Sequence, residues 1–226
     1  MRISPLALET ATEVAKYFTE QQQAGKGRAA DAGISLPYIA AMVENADDGN
    51  HVDIGSLFGA SAITAALMKK KLGHEGKVYC IDPYNDEARQ AAVSASTEQV
   101  QQLLSGTPEA LMKNAEAMGV ELELIQKESH PWPAELEDVT FATAYIDGDH
   151  KGDAPWNDFE NLRGRTFGYI GTDNFEEEYP DVVAAMLKAT DTEDWFLYYK
   201  NYIFLALRRV LPNRSSQIEP FVLLAA

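Results

Sequence analysis

Five short apolar runs, His51–Gly55, Lys77–Asp82, Leu122–Lys127, Phe141–Asp147 and Phe167–Thr172, recur along the chain with helical stretches between them. Strands separated by helices run parallel, because each crossover returns the chain to the same edge. A parallel sheet in turn needs cover on both faces, so the rhythm predicts a doubly wound α/β, Rossmann-like domain. The intervening helices read as Ala60–Leu72, Thr107–Met118, Pro133–Leu136 and Asp153–Leu162, and Thr107, Pro108 and Gly119 supply N-cap, first-turn and stop signals. The rhythm breaks after a further helix over Pro180–Ala189. Trp195–Tyr199 and Tyr202–Arg208 are joined only by Lys200-Asn201, too short for a crossover, and therefore form an antiparallel hairpin. A sheet of about seven strands that ends in a reversed strand is expected. Ahead of it, Leu6–Gln23 has amphipathic spacing, Gln21–Arg28 reads as a polar link and Pro37–Glu44 as a short helix. Residues 1–45 thus form a helical accessory segment, and residues 46–226 the main globular domain.

Composition removes several classes of function. With 226 residues, 46% hydrophobic, the chain can bury a sizeable core and is not disordered, and it has no apolar run long enough to span a bilayer. A net charge of −16 opposes binding to phosphate backbones. The densest basic run, Lys69-Lys70-Lys71, reads as the solvated end of a helix, where cations complement the dipole. The single cysteine, Cys80, lies in a strand-like run, allows no intrachain disulfide and suits a reducing compartment. Met1–Phe18 lacks the pattern of an export signal, so a cytoplasmic location is expected. The apolar tail Pro220–Ala226 is expected to pack on the core or on a second subunit, which makes a homo-oligomer an open possibility. Residues 85–105, rich in Ala, Gln and Ser, fall at the carboxyl edge of the sheet and read equally as a lid or as a plain surface helix.

Chemistry concentrates at the strand ends. Val52-Asp53-Ile54-Gly55-Ser56-Leu57-Phe58-Gly59-Ala60-Ser61 runs from strand through a glycine turn into a helix. Glycines at 55 and 59 permit a tight turn and close approach of a ligand, and the helix start presents free N–H groups. Asp82 ends the next strand, where a carboxylate can accept hydrogen bonds from ribose hydroxyls. The Gly-x-Gly-x-x-Gly pattern of nicotinamide-binding folds is absent. From about residue 50 to 210 the chain resembles the class I S-adenosylmethionine-dependent methyltransferases, with their acidic-x-Gly first motif, a second acid for the ribose and a reversed seventh strand. Leu57 departs from the commoner Gly-x-Gly-x-Gly form, and the version here is similar to that of sugar and antibiotic O-methyltransferases. The resemblance implies a cofactor pocket formed by Asp53, Gly55, Ser56, Phe58, Gly59, Ser61, Asp82, Pro83, Tyr84, Glu128, Ser129, His130 and Asp147.

A second group lies on the following strands. Tyr145-Ile146-Asp147-Gly148-Asp149-His150 ends the fourth, and Tyr169-Ile170-Gly171-Thr172-Asp173-Asn174 the fifth. Adjacent parallel ends bring Asp147, Asp173 and Asn174 together, two carboxylates and an amide oxygen of the kind that suits Mg²⁺ or another divalent cation. The set resembles that of the cation-dependent O-methyltransferases of the catechol and caffeoyl thioester type, and Ile-Asp-Gly-Asp-His is similar to the macrolide-sugar group. His150 is the candidate general base, in the place where the catechol-type enzymes have a lysine, with Lys151 as the alternative. His51 and His74 read as surface or structural residues, Trp132 as a pocket wall or packing residue, Trp156 as a core anchor, and Asp149 and Asp153 as solvated acids. The resemblance implies methyl transfer from S-adenosylmethionine to a hydroxyl of a small molecule such as a catechol, sugar or natural-product diol, with neither nucleic acid nor membrane as partner. Three alternatives stay open: a metal-independent methyltransferase, an inactive homologue that keeps the cofactor pocket, and a nicotinamide oxidoreductase. The join Leu162-Arg163-Gly164-Arg165-Thr166, where the family usually has Pro-Gly-Gly, leaves room for the second.

Overall fold

The computed structural model describes residues 1–23, 32–85, 105–201 and 203–209. Within them the elements are α1 (Pro5–Gln23), α2 (Ala32–Asn45), β1 (Asn50–Ile54), α3 (Ala60–Leu72), β2 (Val78–Ile81), α4 (Pro108–Ala117), β3 (Glu123–Ile125), a 3₁₀ turn (Ala134–Leu136), β4 (Phe141–Ile146), α5 (Ala154–Arg163), β5 (Thr166–Thr172), α6 (Pro180–Thr190), β6 (Trp195–Lys200) and β7 (Leu205–Arg209). The strands form one sheet in the order β3-β2-β1-β4-β5-β7-β6. Five are parallel neighbours, and β7 runs antiparallel to both β5 and β6. The doubly wound reading holds, with one correction: the reversed strand is internal, and β6 forms the edge. The physical reason is burial, since Leu205, Ala206 and Leu207 of β7 are buried whereas Leu197 of β6 is exposed. The residues proposed as a possible lid and the apolar C-terminal tail lie outside the described residues, apart from the lid's ends.

Local signals account for most helix ends. Thr107 Oγ1 accepts the Ala110 N–H at 3.1 Å ahead of Pro108, a side-chain cap for α4. Helix α2 begins a turn earlier than its proline suggests. Pro37 lies inside it and forfeits one backbone bond. Burial of Leu36, Ile39, Ala40 and Met42 offsets that loss. Helices α1–α4 cover one face of the sheet, and Ala11, Val14, Phe18, Ile39, Met42, Ile63, Met68 and Leu111 share one core there. Helices α5 and α6 cover the other, where Phe159, Leu162, Val182 and Met186 pack with Val52, Ile54, Ala144 and Ile146. Strand β4, central between these layers, is buried along its whole length. Among the described residues no helix is long and apolar enough to cross a membrane.

The lysine run differs from its solvated reading. Lys69 is only 4% exposed, with Nζ 2.6 Å from the Gly49 carbonyl and 3.2 Å from Asp48 Oδ1. Asp48 also accepts the N–H groups of Glu75 and Gly76. Although desolvation opposes it, these donors and Lys69 hold the carboxyl well below its usual range. Lys70 binds the Gly119 carbonyl, and Lys71 bridges Glu13 and Glu9. All three cations tie α3 to its surroundings, at the end of the sheet opposite the strand ends that hold the candidate site residues. His51 is likewise structural: it is fully buried, its Nδ1 lies 2.8 Å from Thr143 Oγ1, and burial, with the Lys69 charge, lowers its pKa to about 3. Cys80 is buried and unpaired.

Candidate active site

The first residue after each of four strands donates its N–H to the last carbonyl of the neighbouring strand. Asp82 bonds to Ile125, Gly55 to Ile81, Asp147 to Ile54 and Asp173 to Ile146, at 2.9–3.2 Å. Asp82, Gly55, Asp147 and Asp173 therefore stand in a row along the carboxyl rim of β2, β1, β4 and β5. The chain order reverses between β1 and β4, and open α/β sheets bind ligands in the crevice at such a switch point.

At the centre of the row, Gly55 has φ 85°, and a Cβ there would lie 2.0 Å from the Asp147 carbonyl oxygen. Its glycine admits the end of β4 as well as the turn itself. Gly59, φ 92°, begins α3 without a side-chain cap, and a Cβ on it would meet Leu111 Cδ1 at 2.5 Å. The N–H groups of the first turn of α3 are left to other acceptors. Between the glycines Leu57 also takes a positive φ, 47°. Ser56 is buried, Ser61 half-buried and Phe58 part of the core. Beneath the turn Asp53 is fully buried, with Oδ1 accepting Ser56 Oγ at 2.8 Å and Oδ2 lacking a hydrogen-bond partner among the described residues. Burial pushes its pKa up to about 7; the Ser61 and Ser56 hydroxyls oppose that, and the charges of Asp147 and Asp82 add to it.

Asp82 braces two loops. Its Oδ2 accepts the Leu57 N–H at 2.9 Å and its Oδ1 the Tyr84 N–H at 2.8 Å, while the Tyr84 hydroxyl donates back to the Leu57 carbonyl at 2.8 Å. Tyr84 has φ 50°, and Pro83 and Tyr84 are half-buried. The carboxylate expected at a ribose thus also holds the glycine turn in shape.

On the other side of the row Asp173 is 9% exposed and Asp147 stands on the adjoining strand end. Burial and the Asp147 charge push the Asp173 carboxyl up to about 7, against the donors Ser35 and the Asn174 N–H. The Ser35 hydroxyl, from α2, donates to Asp173 Oδ1 at 2.8 Å. Asn174 adopts φ 55°, a conformation that asparagine tolerates better than most residues. His150 Nε2 lies 3.3 Å from Asp147 Oδ1, and its ring meets Tyr179 edge-on at 5.2 Å. Burial disfavours the imidazolium, but Asp147, then Asp173 and Asp149, outweigh it and raise the pKa. Lys151 and Asp149 are exposed, joined by a 3.2 Å bond from the Lys151 N–H to Asp149 Oδ1.

Glu128 and His130 are exposed and Ser129 half-buried. The Ser129 carbonyl accepts Asn161 Nδ2, which ties this loop to α5. Trp132 packs: its Nε1 donates to the Leu136 carbonyl, and its ring meets Phe141 edge-on. Trp156 packs against Phe159 with Lys188 Nζ 3.6 Å above its ring. Two residues of the site carry no motif. Ser35 is a small polar residue in the mostly apolar stretch of α2 ahead of Glu44. Asp158, 2% exposed on α5, has its pKa pushed up to about 7 by burial; the Ser129 hydroxyl opposes this, Asp149 adds to it, His150 opposes it and Glu128 adds. Asp158 had a usable signal, an acid on the helix stripe shared by Pro155 and Leu162. For a metal, Asp147, Asp173 and Asn174 offer two carboxylates and an amide, and among the described residues no group of three or more His, Cys, Asp or Glu is arranged to hold an ion.

The comparisons with known proteins agree with this architecture. The family described as "Methyltransferase domain" matches residues 52–166, just over half of the chain. No curated protein is detectably similar in sequence. Among solved structures, the O-methyltransferase NovP is 16% identical with a TM-score of 0.56, over 77% of this chain and 78% of that one. CalS11, a calicheamicin methyltransferase, is 17% identical with a TM-score of 0.56, over 92% and 94%. An O-methyltransferase from Bacillus cereus in complex with SAH is 15% identical with a TM-score of 0.56, over 90% and 91%. These likenesses are of fold. With the family match and the rim of glycine turn and acids, they identify the chain as a member of the methyltransferase-domain family and a class I S-adenosylmethionine-dependent methyltransferase.

Proposed function

We propose that the protein transfers the methyl group of S-adenosylmethionine to a hydroxyl oxygen of a small molecule, with help from Mg²⁺. The observation that carries this reading is the pairing of Asp147 and Asp173, with His150 against it, one strand away from the glycine turn. Two crowded carboxylates, one of them pushed to about 7 by burial and its neighbour's charge, are a site that gains from a cation. Asp147, Asp173 and the side-chain oxygen of Asn174 would hold it. Mg²⁺ is commonly bound through one or two carboxylates and keeps water or substrate oxygens in its other positions, so a third acid is not required. When bound, the cation supplies a Lewis acid that makes the acceptor hydroxyl more acidic.

The chain's own residues align and deprotonate. The glycine turn and the first turn of α3 would seat the amino-acid end of the donor, and Asp82 its ribose. Methyl transfer is an in-line displacement in which the S–CH₃ bond breaks as the O–CH₃ bond forms. The protein's main contribution is the near-attack geometry. His150 takes the hydroxyl proton at Nε2, and the products are the methyl ether and S-adenosylhomocysteine. The site is acidic, in keeping with a cationic sulfonium donor and a neutral, polyhydroxylated acceptor. Cys80, the only cysteine, fits a reducing compartment such as the cytoplasm.

Calorimetric titration of S-adenosylmethionine and S-adenosylhomocysteine, with Mg²⁺ and with chelator, is the first test. It is paired with transfer of labelled methyl to catechols, sugars and other diols. Micromolar cofactor binding and transfer that chelator abolishes are expected. Transfer unchanged by chelator would remove the metal and leave Asp147 and Asp173 to bind the acceptor directly. No cofactor binding under either condition would remove the reading altogether.

A further inference from the structure

One oxygen of the Asp173 carboxylate is already engaged from a distant part of the chain. Ser35 and Asp173, 138 residues apart in sequence, meet at 2.8 Å in a contact where Ser35 is 4% and Asp173 9% exposed. A serine hydroxyl has one proton, and inside a helix it usually returns that proton to a carbonyl of the preceding turn. Here it goes across the fold to the rim. The buried Tyr145 phenol also feels the same Ser35 hydroxyl, which works against the burial that raises its pKa. One turn further along α2, Tyr38 stacks on Tyr199 at 4.8 Å and on Phe204 at 5.3 Å, and Phe204 stacks on Tyr145 at 6.2 Å. This part of α2 is therefore locked against β4, β6 and the connection from β6 to β7. Rigid support of that kind is what an oriented ligand-binding side chain needs.

We propose that Ser35 is a positioning residue for Asp173: its hydrogen bond fixes the rotation of the carboxylate, so that the lone pairs Ser35 leaves open are presented at the rim beside Asp147. An N-terminal helix that shares no motif with the rim then sets the geometry of one of its two acids. The inference rests on the reading of Asp147 and Asp173 as a cation-holding pair, and it concerns this chain's residues whichever hydroxyl compound is the acceptor.

The test uses Mn²⁺ as a paramagnetic probe, titrated into the full-length protein saturated with S-adenosylhomocysteine, for wild type, Ser35→Ala, Ser35→Thr, Tyr145→Phe, Asp173→Asn and the Ser35→Ala/Asp173→Asn double variant. Ser35→Ala is expected to weaken Mn²⁺ binding about tenfold, the scale of one hydrogen bond to a charged group, and Tyr145→Phe about threefold. Ser35→Thr, which keeps the hydroxyl, is expected to restore most of the affinity. The double variant is expected to bind no more weakly than Asp173→Asn alone, because the carboxylate that the serine orients is already gone. Affinity for S-adenosylhomocysteine is expected to stay within twofold throughout, a result that general loosening of the fold would not give. Wild-type affinity in Ser35→Ala together with loss in Asp173→Asn would overturn the positioning role and leave the proposed function standing. A parallel fall in Mn²⁺ and S-adenosylhomocysteine affinity in Ser35→Ala, unrescued by threonine, would overturn it in favour of a structural role. A wild type that binds no Mn²⁺ would overturn both this inference and the metal in the proposed function.

Discussion

Gly55→Ala separates the backbone cost of a left-handed turn from the steric cost of the rim. At Gly55, φ is 85° and the new Cβ would stand 2.0 Å from the Asp147 carbonyl oxygen and 2.5 Å from its carbon, both backbone atoms of a fully buried strand's end. Gly73, the cap of α3, has φ 70° and nothing within 4 Å of a Cβ. Gly73→Ala therefore carries only the conformational penalty, about 1 kcal/mol. At this chain length that corresponds to a melting temperature lower by about 2–4 °C. Gly55→Ala carries the same penalty and must also part the turn from β4 by more than an ångström. We expect a total near 3–4 kcal/mol, at the upper end of what single substitutions do, and a melting temperature lower by about 10 °C. Because the parting moves Asp147 away from the turn proposed to seat the cofactor, S-adenosylhomocysteine affinity is expected to fall at least tenfold in Gly55→Ala and to stay unchanged in Gly73→Ala. Urea denaturation and calorimetric titration of the two variants side by side make the comparison. If Gly55→Ala matched Gly73→Ala in both stability and affinity, the close approach of turn and strand would not matter, and the account of the glycine motif would be refuted.

His150→Ala is expected to leave S-adenosylhomocysteine binding within twofold and to lower turnover by about 10²–10⁴, the usual contribution of a general base; equal turnover in variant and wild type with a working acceptor would remove His150 from that role. Asp158, raised from 3.8 to about 7 in the folded state, binds more protons folded than unfolded across that interval. Its effect on stability therefore runs downhill as pH rises from about 4 to 7, a loss on the order of a few kcal/mol. Asp158→Asn is expected to gain on wild type over that window and to match it near pH 4; parallel stability–pH curves for the two proteins would count against a buried, protonated Asp158. Lys69→Met removes a buried cation from Asp48, whose own carboxylate is 43% exposed, so the cost is expected to be about 1–3 kcal/mol after solvent screening. An unchanged urea midpoint would show that the Lys69–Asp48–Gly49 contact contributes nothing net.

Much of the rim is legible in the one-dimensional pattern because its residues sit immediately after strands. Once the apolar runs are assigned, Gly55, Asp82 and Asp147 close three of them and Asp173 follows a fourth, and parallel pairing forces all four to one edge. What the pattern misstates is how those residues are used. Gly55 reads as room for a ligand, yet its missing side chain is needed first by the β4 backbone. Asp82 reads as a ribose acid, and it also holds Leu57 and Tyr84 in left-handed conformations. Lys69 reads as solvated because its neighbours are lysines, but it lies on the face of α3 turned toward the loop before β1.

The division between sequence and fold follows the range of the forces involved. Apolar spacing, caps such as Thr107 and stops such as Gly119 act within a few residues, and the chain alone determines them: five strands, their helices and the acids Asp82, Asp147 and Asp173 at the ends of three strands. The place of β7 between β5 and β6 depends on which strand of the hairpin buries more apolar surface against helices on both faces, a comparison made only in the assembled sheet. The hydrogen bond from Ser35 to Asp173, the raised pKa values of Asp53, Asp158 and Asp173, and the burial of Lys69 all depend on what stands opposite in space. No local pattern encodes those contacts, because the energies that set them, desolvation and Coulomb interaction between residues tens to more than a hundred positions apart, exist only once tertiary packing has excluded water.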